Sequence, residues 1–202
     1  EKAEKSIVIT SDDGSLVRFS ESELRPLMDT FFSGFSHLNS EAVLHEAFEA
    51  AFEGIGLEAI NEALTMSART LIEQQPDYSF VAARILKKRL YDGAYPYLIN
   101  KHLSLVDYPQ DYSDLLKPFI EKGVNQGLLN KELATFDLNK LMQALDCDRD
   151  NQFSYLGMQT LYDRYFLHDN QVRYELPQIF FMRVAMGLAL EEQEREDKAI
   201  EY

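Results

Sequence analysis

Few residues in this chain have the types and spacing that chemistry requires. A reactive thiol needs a cysteine that can ionise, and a redox pair needs two sulfurs. Only Cys147 is present, between Asp146 and Asp148, whose negative charges disfavour a thiolate. A structural thiol is expected. His37, His45, His102 and His168 are dispersed, with no cysteine or carboxylate at ligand spacing, so no metal site is expected. Asp146, Asp148 and Asp150 alternate as calcium ligands do, but the following glycine and later glutamate of an EF-hand are missing. A solvated turn with an Arg149 ion pair is the simpler expectation. No glycine-rich phosphate loop occurs. Lys87, Lys88 and Arg89 have the charge to hold an anion, but they equally suit the solvated C-terminal end of a helix, and that is expected.

The bulk properties narrow the classes. The 202 residues suit one large domain or two small ones, and 46% hydrophobic content is enough to bury a core. A net charge of −14 repels phosphate backbones, which argues against nucleic acid as a partner. The most apolar stretch, Ile179 to Leu190, is broken by Arg183 and falls short of a membrane span. The single cysteine points to a reducing, cytoplasmic setting. The chain opens on Glu1 and ends at Tyr202 inside a helical charge pattern, so it reads as part of a longer protein.

Periodicity then supplies elements to carry these residues. The β-branched run in Ser6 to Thr10 predicts a strand, Asp13-Gly14 a turn, and Leu16 to Phe19 the return strand. Ser20 and Glu23 fit a capping box, although Pro26 favours a start nearer Ser22. That helix would bury Leu24, Leu27, Met28 and Phe31 and end near Gly34. Further helices are predicted from Asn39 or Ser40 to Gly54, from Leu57 to Gln74, and from Asp77 to Asp92 with Gly93 as a stop.

Pro96 opens a second region. It holds predicted helices at Tyr97–Leu105, from a Ser113 cap to Leu129 with Pro118 near the first turn, from an Asp137 cap to Ala144, and at Tyr155–Tyr165. Phe166–His168 and Val172–Tyr174 predict a second hairpin, and Pro177 starts a helix running to Glu192. Glu191 to Lys198 reads as a solvated charged face. The fold class is mainly α: a four-helix bundle with a short N-terminal hairpin at 1–95, then a helical region with one short hairpin at 96–202.

The first region resembles an ATP-cone, on Ile-Thr-Ser-Asp-Asp-Gly-Ser at 9–15 and Pro-Asp-Tyr-Ser-Phe-Val-Ala-Ala-Arg at 76–84. The second resembles the segment leading into the barrel of class I ribonucleotide reductase large subunits. The residues that carry it are Asp148-Arg149-Asp150, Phe153-Ser154-Tyr155, Leu161 to Tyr165 and Glu175-Leu176-Pro177-Gln178. The resemblance implies an oxidoreductase that makes deoxyribonucleotides with a thiyl radical and a redox cysteine pair. One cysteine cannot fill those roles, so no catalytic residue is expected here. It also implies a radical-generating small subunit and the remainder of the large subunit as partners.

ATP and dATP are the family's effectors. The family places basic residues where this chain has Ser11 and Asp12, a lysine where it has Glu23, and ligand-facing polar residues at Leu57 and Asn61. Each lost charge-assisted bond removes about 1.5–3 kcal/mol. Three losses approach the roughly 8 kcal/mol of micromolar binding. A degenerate cone that binds neither nucleotide nor any other cofactor is therefore expected. An assembly module without ligand sensing is the alternative. A cone-bearing transcriptional regulator would carry a zinc ribbon, whose cysteine pairs are missing. The helix Ile179 to Leu190, apolar almost all round, predicts self-association.

Overall fold

The computed structural model describes residues 6–10, 16–51 and 55–202, apart from the side chains of residues 55 and 57. The chain forms two compact units. One takes residues 1–89, 103–108 and 152–160; the other takes 90–102, 109–151 and 161–202.

In the first unit, β1 (Ser6–Thr10) pairs antiparallel with β2 (Leu16–Ser20), Ser6 opposite Ser20 and Thr10 opposite Leu16. Strand alternation sends Ile7 and Ile9 into the core. The expected Asp13-Gly14 turn lies outside the described residues. A short strand that the sequence reading missed, β3 (Ile55–Gly56), lies parallel to β1 and gives the order β2-β1-β3. Two residues are too few for a period-2 pattern to register.

Helix α1 (Glu21–Phe31) begins after Ser20, not Ser22, because the Glu23 carboxylate accepts the Ser20 backbone N–H at 2.8 Å. Pro26 sits inside the helix and withdraws one backbone donor. Leu24, Leu27, Met28 and Phe31 are buried as the spacing requires. Helix α2 (Ser40–Ala50) takes its cap from the Asn39 side chain, which accepts the Ala42 N–H at 3.0 Å. It stops short of Gly54 because Ala51 is already extended. Helix α3 (Leu57–Thr70) gives way to turns before Gln74.

Helix α4 (Tyr78–Ile99) overturns the expected stop at Gly93 and the separate helix from Tyr97. It runs through both Gly93 and Pro96 and ends where Asn100 turns left-handed, at φ 54°. Gly93 is not punctuation. A Cβ there would lie 2.6 Å from the Arg173 carbonyl oxygen, so the glycine admits the backbone of the second hairpin.

In the second unit the expected Ser113 cap does not form, since Tyr112 stands at the N-cap position and no side chain caps the turn, and the helix expected to reach Leu129 stops at Asn125. Ser113 opens a 3-10 turn, and α5 (Leu116–Asn125) carries Pro118 in its first turn, where a missing N–H costs nothing. The Asp137 side chain accepts the Lys140 N–H at 3.1 Å and caps α6 (Leu138–Ala144). After α7 (Tyr155–Arg164), whose residues up to Thr160 belong to the first unit, β4 (His168–Asp169) and β5 (Val172–Arg173) form the expected hairpin. Helix α8 (Pro177–Leu188) ends before Glu192, and α9 (Arg195–Glu201) follows on the stretch expected to be a solvated face. Helix α8 buries Ile179, Met182, Ala185 and Met186 and exposes Phe181, Val184 and Leu188 by 45%, 40% and 67%. Among the described residues no helix is long and apolar enough to cross a membrane.

Candidate functional site

Of the residues marked by the cone resemblance, Glu23 lies on α1, which follows β2, and Leu57 and Asn61 lie on α3, which follows β3. Glu23 is the third residue of α1, and its carboxylate is held by the Ser20 backbone N–H at 2.8 Å and the Ser20 hydroxyl at 3.2 Å. Leu57 opens α3, its side chain outside the described residues. Asn61 lies one turn later and is 1% exposed, and its carbonyl accepts the Thr65 hydroxyl at 2.7 Å. Ser11 and Asp12 lie outside the described residues.

The basic cluster corrects an expectation. Lys87, Lys88 and Arg89 are not a solvated helix end; they lie in mid-α4, with Lys87 4% and Lys88 0% exposed. The ammonium of Lys88 donates to the Ser104 carbonyl at 3.2 Å, and that of Lys87 lies 5.3 Å over the Tyr108 ring. Arg89 donates to Glu58 at 3.1 Å. A helix end at Gly93 would leave these residues exposed; because α4 continues to Ile99, they lie in mid-helix. A turn earlier, Arg84 donates to the carbonyls of Phe31 and Ser33 at 2.8 and 2.7 Å and so closes the C-terminal end of α1. Burial lowers the pKa of this guanidinium.

In the second unit the polar groups build anchors. Asp150 is not part of a solvated turn: it is 2% exposed, with its carboxylate held by the Tyr112 hydroxyl at 2.7 Å and the Gln178 amide at 2.8 Å. The rest of the expected turn is at the surface: Asp146, Asp148 and Arg149 are exposed, and Arg149 pairs with Asp146 at 3.6 Å. Glu175 is fully buried. It accepts from the Leu167 N–H at 2.8 Å and from the Arg183 Nε at 2.6 Å, yet burial still pushes its pKa up. Cys147 is buried, and its thiol is pushed up to about 12. Burial is the main cause, with Asp111 and Asp150 adding to it, rather than the flanking Asp146 and Asp148. Such a thiol is no nucleophile at neutral pH. Among the described residues, no three or more His, Cys, Asp or Glu side chains gather as a metal site.

Comparison with known proteins decides what this arrangement belongs to. Residues 151–202 match the family described as ribonucleotide reductase, all-alpha domain. Over 99% of its length the chain is 41% identical to the ribonucleoside-diphosphate reductase subunit alpha of Chlamydia muridarum. The chain belongs to the ribonucleotide reductase large-subunit family. It is also 37% identical to the Helicobacter pylori alpha subunit over 73% of the chain, and 25% identical to an Escherichia coli alpha subunit over 91%. It spans 19% of the length of the chlamydial relative and 18% of the Helicobacter one.

Within that family frame, the motifs that carried the resemblance have structural work. Asp150 and Gln178 meet through the Tyr112 knot, Glu175 ties the hairpin to α8, and the Tyr155 N–H donates to the Ser79 hydroxyl at 3.0 Å. Each of these residues is held by a partner eight or more positions away in sequence. Tyr112, which completes the knot, lies in none of the motifs, and its ordinary surroundings gave no signal.

Proposed function

We propose that the chain is the regulatory and structural N-terminal region of a large subunit that reduces ribonucleoside diphosphates, and that its own residues perform none of the chemistry. The observation that carries this reading is the alignment along nearly the whole chain with alpha subunits of that reductase. Residues 1–95 are the cone-like part, and 96–202 lead into the catalytic domain. The partners are then the remainder of the large subunit and a radical-generating small subunit, in the cytoplasm. To test the assignment, this chain replaces the matched segment of the Chlamydia muridarum subunit, and reduction is assayed with the small subunit and a reductant. Turnover is expected. A chimera that folds and assembles but does not turn over overturns the assignment.

The cone-like part has lost ATP and dATP. Glu23 puts an anion where the resemblance expects a lysine, and Lys88 and Arg89, bound to a carbonyl and a carboxylate, are not free cations. A triphosphate requires such free cations or a nest of amides. Calorimetric titration with either nucleotide and Mg²⁺ should be flat. A micromolar one-site isotherm overturns the loss of binding while leaving the family reading intact.

The chain also self-associates through Ile179–Leu190. Its exposed contact is the stripe Phe181, Val184 and Leu188, three residues at helical spacing. Light scattering across a concentration series should show a mass that rises, and Leu188→Glu should lower it. A monomeric mass throughout overturns this.

A further inference from the structure

We draw no further inference here: the strongest candidate, the exposed apolar stripe of Phe181, Val184 and Leu188 along α8, belongs to the self-association already proposed, and nothing in the structure shows another partner covering it.

Discussion

Removing one oxygen atom, in Tyr112→Phe, should cost the second unit much of its stability. The Tyr112 hydroxyl donates to Asp150 at 2.7 Å and accepts the Gln178 backbone N–H at 3.0 Å. Both bonds are buried. The second one caps α8. Leu176 stands at the N-cap position and has no polar side chain, so the Tyr112 oxygen takes the place a serine or aspartate would fill. Burial and the neighbouring Asp150 charge hold the Tyr112 pKa well above 10, so the hydroxyl stays a donor at any working pH.

In the variant, the ring still fills its space, so no cavity term enters. The Asp150 carboxylate loses one charge-assisted bond, about 1.5–3 kcal/mol, and the Gln178 N–H loses its acceptor, about 1–3 kcal/mol. Because one hydroxyl serves both, the effects are not additive, and a net loss of about 3 kcal/mol is expected. Equilibrium urea unfolding measures it, provided the slope is unchanged. Hydrogen exchange at the Gln178 amide should speed up. Tyr165→Phe, at a site 55% exposed, is the control and should change little. A loss under about 1 kcal/mol with unchanged Gln178 protection refutes the cap and the knot together.

Two further substitutions test the packing in the same unit. Gly93→Ala improves helix propensity by about 1 kcal/mol but drives a methyl against the Arg173 carbonyl; overpacking should win, for a net loss of about 1–2 kcal/mol by urea unfolding. A gain in stability would show that the hairpin moves aside freely. Glu175 holds its proton more tightly folded than unfolded, so its favourable contribution is complete below pH 4.5 and is lost as pH rises through the folded value. The stability of Glu175→Gln relative to the parent should therefore rise with pH above 4.5, and a flat difference from acid to neutral pH would remove the raised pKa from the account.

Elements whose signals are local were legible. The β-branched run at Ile7-Val8-Ile9, the caps at Asn39 and Asp137, and Pro177 at the first position of α8 each fix their backbone through near neighbours in sequence. What was not legible depends on a distant partner. Gly93 and Pro96 look like a helix end, yet α4 passes through them, and Gly93 is needed there by a backbone in another hairpin. Lys87 and Lys88 look solvated because charge is visible in a sequence and the Ser104 carbonyl and Tyr108 ring are not. The start of α8 has no legible cap because its acceptor is Tyr112.

Glu23 carried two signals at once, and together they make a sharper test of the cone than either alone. Ser20-x-x-Glu23 reads as a capping box, and the same glutamate stands where the family resemblance expects a lysine. The two readings are physically linked. A helix N-terminus has exposed N–H groups and a partial positive charge, so it favours an anion. A lysine there is unfavourable unless a bound phosphate supplies the negative charge, whereas a glutamate supplies it from within the chain. In this structure the Glu23 carboxylate does so, at 2.8 Å from the Ser20 N–H. Glu23→Lys should therefore remove one leg of the capping box and reverse the charge at the helix start, a loss of about 1–2 kcal/mol without ligand. Glu23→Gln keeps the acceptor and should lose less than half of that. Adding ATP should not restore the lysine variant, because Asp12 still stands where another cation is expected. Urea unfolding of both variants, with and without ATP and Mg²⁺, reads the outcome. A lysine variant as stable as the parent would show that Glu23 does not hold α1. Rescue by ATP would show that one charge separates the cone-like part from a nucleotide-binding one.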